Sequence, residues 1–340
     1  MFMTRSAIGA LMGVLSLSSV SMADEIKFGI GVAEGDYPEY NAVLRFKEYV
    51  EFKTNGDITV RLFPGNQLGG EREMLEQVQQ GSLELTLPAD GAMAGFYPPM
   101  QVWSVPYIFE SAPIAWEVMN GPFGDAMRED ILEQTGMRAL AFSQNGFRSF
   151  TNNVRPIVNP DDMAGLKIRT MESPVYMEMV KSLGATAVPI SGAEVVMALR
   201  QGVVDGQENP PAVVYSGGAG EVQKYYTLNE HTFGLHVVIA NNDWFESLSP
   251  GHQQIIQDAA KLAAWTENLQ KTEGDWLYSR QLEEELGMEI HVSTPEEKAA
   301  FRDVVQEPVL QFIRSNVGDE LVDELLNEVE TVKSRMYGSQ

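Results

Sequence analysis

Apolar residues along this chain fall into short strand-like runs separated by stretches of helical spacing. Ile26-Lys27-Phe28-Gly29-Ile30-Gly31-Val32 reads as a first strand. Asn41 to Lys53 reads as an amphipathic helix, because Val43, Phe46, Val50 and Phe52 lie near helical spacing. The turn Thr54-Asn55-Gly56-Asp57 leads into a second strand, Ile58 to Phe63. A loop over 64–70 precedes a short helix, Glu71 to Gln80, which Gly81 ends. Leu83 to Leu87 is a third strand. Strand–helix–strand alternation of this kind predicts an α/β fold with largely parallel pairing.

The alternation resumes further on. Arg138 to Ser143 and Leu166 to Thr170 are strands, and Pro174 to Leu183 is a helix that opens on proline and stops at Gly184. Thr186 to Ile190 is strand-like. Ser191-Gly192-Ala193-Glu194 has the capping-box pattern and starts a helix through Arg200. Val203 to Gln207 is a further strand, and Gly234 to Ala240 is an apolar β-branched run. Ser249-Pro250 caps a long helical segment towards Leu286, with Gly274 as a candidate bend. Residues from Glu296 onward read as terminal helices. There is no internal repeat and no low-complexity linker, so two interwoven lobes fit better than two beads on a string.

The first residues stand apart from this pattern. Arg5 supplies a positive start, Ala7 to Val20 an apolar stretch, and Ser21-Met22-Ala23 a small-x-small cleavage site. Residues 1–23 therefore read as a secretory signal peptide, too short and serine-rich for a membrane span. The mature protein is expected to start at Asp24 and to be exported to the periplasm. Length agrees with two domains, since the chain has 340 residues. With no cysteine, neither a lipid anchor after the cleavage site nor a disulfide framework is available.

Charge narrows the partners. Against 24 Lys and Arg stand 48 Asp and Glu, a net charge of −24. Such a surface repels nucleic acid and anionic membranes. The acidic residues are dispersed, as in a solvated surface. Capture of an anion would have to be local, because salt screens the overall field over roughly 10 Å.

Several chemistries are missing. Gly29-Ile30-Gly31-Val32-Ala33-Glu34 starts like a dinucleotide loop but has Glu34 at the third glycine position. There is no phosphate loop and no G-x-S-x-G elbow. The four histidines, at 231, 236, 252 and 291, form no zinc spacing. No metal or cofactor is expected.

Two runs carry what remains. In Gly165-Leu166-Lys167-Ile168-Arg169-Thr170 an arginine ends a strand, where open α/β sheets face their ligand crevice. Its guanidinium matches a carboxylate with two parallel donors. On residue physics alone a structural salt bridge suits it as well. In Gly202-Val203-Val204-Asp205-Gly206-Gln207-Glu208-Asn209-Pro210, Asn209 offers an amide that donates and accepts, or serves as an ordinary turn residue.

The chain resembles the periplasmic solute-binding subunits of tripartite ATP-independent periplasmic (TRAP) transporters, the DctP-like family. The resemblance covers nearly the whole mature chain. It runs through Phe63-Pro64, Gln67-Leu68-Gly69-Gly70-Glu71-Arg72, Val105-Pro106-Tyr107, Asp161 to Arg169, Leu183-Gly184-Ala185 and Val204 to Pro210. It implies that Arg169 clamps a carboxylate, that Arg148 in Asn145-Gly146-Phe147-Arg148-Ser149 is a second arginine, and that Asn209 is an amide ligand. Glu71 matches a polar contact of some members, although the helix dipole also favours a carboxylate there. His231 and Phe233 fall where the chain returns to the first lobe and are candidate cleft residues; a buried, satisfied histidine is the plainer role. Gly192 stands where ectoine-binding members carry an aromatic, which argues against a stacked cyclic zwitterion.

The implied fold is two α/β lobes with crossing strands and a long helix spanning both. Lobe I comprises 24–146 and about 235–273, lobe II 147–234 and about 274–305, and residues 306–340 are C-terminal helices packed on the lobes. The implied function is a receptor, without enzymatic activity, for a small organic acid such as a uronate or another sugar acid, or a dicarboxylate. It is expected to be monomeric and to serve small and large integral membrane subunits. Keto acids, sulfonates and ectoine-like zwitterions are alternative ligands. An exported enzyme acting on acidic sugars and a ligand-presenting sensor subunit are the rival functions.

Overall fold

A computed structural model of the protein describes residues 24–338; the expected signal peptide lies outside them. Nine strands form one sheet: β1 (Asp24–Gly29), β2 (Ile58–Phe63), β3 (Leu85–Thr86), β4 (Met137–Asn152), β5 (Lys167–Thr170), β6 (Thr186–Pro189), β7 (Gly206–Asn209), β8 (Tyr225–Asn241) and β9 (Glu289–Val292). The strand order is β2-β1-β3-β8-β4-β7-β5-β6, with β9 beside β8. Two parallel flanks, β2-β1-β3 and β7-β5-β6, are therefore joined through antiparallel pairs on β8 and β4.

The crossing strands that the resemblance implied are present, and they are much longer than the apolar runs read from the sequence pattern. β4 spans 16 residues and β8 spans 17, paired from Met137 opposite Asn241 to Asn152 opposite Tyr225. The apolar runs 138–143 and 234–240 are only their ends within the first flank. The continuation of β4 carries Gln144, Asn145, Arg148, Ser149 and Thr151, all buried. Buried polar residues erase the hydrophobic periodicity by which strands are recognised. Gln144, Arg148, Ser149 and Thr151 are tolerated because their side chains find hydrogen-bond partners.

Smaller boundaries also shift. β1 ends at Gly29, so Ile30-Gly31-Val32 is a loop, held by Ile30 N–H donating to the Phe63 carbonyl at 3.1 Å. β7 covers Gly206–Asn209 instead of 203–207, which puts Asn209 on the strand end. A Cβ at Gly206 would lie 1.9 Å from the Thr151 carbonyl oxygen, so only glycine lets β7 approach β4 this closely. Ser191 forms no capping box. Its hydroxyl donates to the Glu194 carboxylate at 2.9 Å, and a 3-10 turn, Gly192–Glu194, precedes the helix Val195–Arg200.

Helices cover the sheet. Pro38–Lys53 starts three residues before its expected position, with Pro38 in its first turn. Its Phe46 meets Phe28 of β1 edge-on at 5.3 Å. The long helix Pro250–Glu284 has 35 residues, about 52 Å at 1.5 Å per residue. The Ser249 hydroxyl caps it by accepting from His252 N–H at 3.2 Å, and it is unbroken through Gly274. Its first half packs Ile256, Ala259, Ala260, Ala263 and Ala264 against β1, β2 and the helix Pro38–Lys53. Its last turns place Leu282 in a separate core with Leu199, Val204, Val214 and Tyr226. One helix thus joins the two flanks. Helices Pro295–Val317 and Asp319–Tyr337 bury Phe301, Val305, Val309, Ile313, Val322 and Leu325 in the largest core. That core also takes up the helices Ala112–Met119 and Pro122–Thr135, which the sequence reading left unassigned.

Candidate functional site

A cavity of about 160 Å³ opens where the two flanks meet. A lone water needs roughly 10–15 Å³ of such space, so there is room for a ligand of several heavy atoms. Arg169, Arg148, Asn209 and Glu71 all line it.

β5 delivers Arg169 from its third position, with only 3% of the residue exposed. Among the described residues three Arg and Lys side chains are buried. Arg148 pairs with Glu208, and Lys271 with Glu39. Arg169 has no ion pair: its Nε donates to the Ile190 carbonyl at 2.7 Å, and its terminal nitrogens donate to no protein group among the described residues. Burial pushes its pKa down to about 10, with Glu208 opposing and Arg148 adding to the fall. It stays charged near neutrality. A desolvated, unpaired guanidinium is costly, and a structural salt bridge is no longer available to explain it.

Arg148 is held in a different way. Its Nε donates to Glu208 Oε2 at 2.5 Å, and Nη2 donates to Glu208 Oε1 at 2.8 Å and to the Glu208 carbonyl at 2.7 Å. The guanidinium lies over the Tyr176 ring at 5.2 Å. Gly234 leaves space for this side chain, since a Cβ there would sit 3.2 Å from Arg148 Cδ. Burial pushes Glu208 up, but Arg148 outweighs it, with help from His231, and holds the carboxyl at about 2. The fork is not used up: Nη1 is buried without a partner. Glu208, the obvious acid of its run, is therefore a brace for Arg148.

Asn209 donates from Nδ2 to Gln207 Oε1 at 2.5 Å, while the Tyr226 hydroxyl fixes its backbone carbonyl at 2.7 Å. Its side-chain oxygen accepts no hydrogen bond among the described residues. Glu71 begins the helix Glu71–Gln80 and accepts from Ala89 N–H at 3.0 Å. Six further polar residues line the cavity that sequence reasoning did not single out: Asn145, Glu39, His236, Asn66, Gln207 and Ser216. Asn145 Oδ1 is buried without a partner. Its nearness to Arg148 in sequence was the only available sign. Glu39 and His236 lie far apart in sequence and in no recognisable motif.

The candidates His231 and Phe233 do not line this cavity. His231 is buried against the Phe150 ring at 4.2 Å, with Nδ1 3.0 Å from Asn229 Oδ1, and burial lowers its pKa. Its Nε2 lies 3.5 Å from Glu208, so it supports the brace from behind. Phe233 packs edge-on against Phe147 at 5.0 Å and Phe109 at 5.7 Å. Both face the core because the strand alternation that sends His236 to the cavity turns them elsewhere.

Two α/β flanks tied by crossing strands and a shared helix, with a free buried cation at the junction, define a two-lobed solute-binding protein. The chain belongs to the bacterial extracellular solute-binding protein family 7 (DctP), whose pattern matches residues 29–316. It is a solute-binding protein of the TRAP type. The C4-dicarboxylate-binding periplasmic protein DctP of Rhodobacter capsulatus is 32% identical over 332 residues, 94% of this chain and 97% of that protein. The sugar acid binding protein DctPAm of Advenella mimigardefordensis, solved in complex with galactonate, matches with a TM-score of 0.87 and 30% identity over 91% of this chain and 98% of its own. A TRAP periplasmic solute-binding protein of Polaromonas sp. JS666, bound to D-erythronate, matches at 0.84 and 31% over 89% and 98%. Among the described residues no helix is long and apolar enough to cross a membrane.

Proposed function

We propose that the chain is the periplasmic receptor that captures a small carboxylate-bearing organic acid and hands it to small and large membrane subunits. The observation that carries this reading is Arg169, among the described residues the one buried Arg or Lys without an ion pair, facing a cavity of ligand size. The carboxylate docks on its fork, with Arg148 Nη1 and Asn209 as further contacts. Lobe I (24–146 and about 235–273) and lobe II (147–234 and about 274–305) close on the ligand, with residues 306–340 packed on them. Closure follows because the acid meets both lobes only in the closed state. Relatives named for a C4-dicarboxylate and for a sugar acid support this ligand class.

The receptor does no chemistry on the acid. General acid–base catalysis needs a proton donor and a proton acceptor set about the reacting bond, whereas each carboxylate at this cavity has a fixed structural partner, Glu71 accepting from Ala89 N–H. Glu208 serves Arg148, and Glu39 serves Lys271. A thermal-shift screen of organic acids tests both halves. An acid at 100 times its Kd is expected to stabilise the protein by about 2.7 kcal/mol. NMR of the mixture should return that acid unchanged after prolonged incubation. A new product, or no stabilisation by any acid, defeats the proposal.

A further inference from the structure

A second set of charges borders the same cavity and is not needed for a carboxylate clamp. Glu39 lies in the first turn of the helix Pro38–Lys53, and its Oε1 takes the ammonium of Lys271 from the long helix. Its Oε2 is buried with no partner. His236, on β8, holds Glu267 Oε1 through Nδ1 at 2.6 Å, and Glu267 Oε2 accepts from the Ser143 hydroxyl at 2.6 Å. The Nε2 of His236 has no protein partner among the described residues, and the residue lines the cavity. One ligating atom from each of Glu39, His236 and Glu267 falls within 4.8 Å of the others.

A cation site would explain three such residues, but the cluster already contains its cations. Lys271 sits on Glu39, and the free positions left to a ligand are one carboxylate oxygen and one imidazole nitrogen. Both residues line the cavity, and a hydroxyl satisfies an acceptor and a donor together, the carboxylate oxygen and the Nε2–H of a protonated His236, since it donates to the first and accepts from the second. A second carboxylate would meet Glu39 and be repelled. An ammonium would meet His236 and Lys271.

Building on the receptor reading, we infer that Glu39 and His236 form a specificity pair that takes a ligand hydroxyl away from the clamped carboxylate, and so select a polyhydroxy acid over a dicarboxylate. Lys271 and Glu267 position the pair. The same arrangement makes recognition depend on pH. Burial pushes the His236 pKa down, but Glu267 outweighs it and raises it above its ordinary value. The charged groups facing His236 are Glu267 and Lys271 from the long helix and Glu39 from the helix Pro38–Lys53. The imidazolium donates from Nε2, so affinity for a hydroxylated acid falls as pH rises through that raised pKa.

Calorimetry with D-galactonate and succinate tests this. Wild type should prefer D-galactonate. Glu39→Gln keeps an acceptor for Lys271 and turns the free acceptor into a donor. It should weaken D-galactonate roughly 10-fold or more, the size of one charge-assisted hydrogen bond, and leave succinate unchanged or tighter. His236→Gln should weaken D-galactonate and abolish its pH dependence; it carries the test if Glu39→Gln does not fold. Equal losses for both acids, a wild-type preference for succinate, or a requirement for an added divalent cation overturns the inference. Binding of both acids that survives Arg169→Ala, or no binding of either by wild type, brings down the receptor reading and this pair with it.

Discussion

Arg169→Ala should cost about 2–5 kcal/mol of binding, roughly 30-fold to several thousand-fold in affinity for whichever acid binds best. The fork of a desolvated guanidinium grips a carboxylate through two charge-assisted bonds that water no longer weakens. Arg169→Lys should also lose affinity, because an ammonium cannot reproduce the fork. Stability should move the other way. Burial lowers the Arg169 pKa from 12.5 to about 10, which places the cost of keeping this charge in the unliganded fold at roughly 3 kcal/mol. Arg169→Met is therefore expected to raise the unliganded Tm while ligand-induced stabilisation disappears. Calorimetric titration and thermal melts on the same variants read both effects. A residue with a purely structural role would lower the Tm instead.

Glu208→Gln is expected to destabilise the fold by about 3–5 kcal/mol, since it leaves Arg148 fully buried without its ion-pair partner. Denaturant unfolding at neutral pH measures it. The same brace predicts acid sensitivity. Glu208 has an ordinary value of 4.5 and a folded value of about 2. A depressed carboxylate stabilises the fold above its unfolded pKa, and that contribution drains away as pH falls from about 4.5 towards 2. Wild type should lose stability through this window, and Glu208→Gln should lose correspondingly less. An unchanged acid profile in the variant would refute the assignment of Glu208 as the brace.

Local chemistry made part of this legible in the sequence. A strand ending in Arg169 and a strand over 203–207 opening into a turn with Asn209 announced two sides of a crevice, and both residues line it together with Arg148 and Glu71. The helices at 71–80 and from Pro250 were equally readable from their caps and spacing. The full length of the crossing strands, which the resemblance implied, was not, because Gln144, Asn145, Arg148, Ser149 and Thr151 are polar yet buried, and burial of polar residues depends on partners distant in sequence. Glu208 illustrates the same point: its role is set by Arg148, sixty residues away, across the β4–β7 pairing. Glu39 and His236 became visible only when the fold brought a helix start, a crossing strand and the long helix to one wall. His231 and Phe233 were placed within the right segment but on the wrong side of it.

The most direct test of carboxylate capture compares one acid with its own neutral analogue. The acid giving the largest thermal shift is titrated calorimetrically beside its primary carboxamide, which preserves size and hydroxyl pattern but removes the charge. The clamp predicts a loss of about 2–5 kcal/mol for the amide, at least roughly 30-fold in Kd. Equal affinity for acid and amide would contradict a receptor built around the free guanidinium of Arg169.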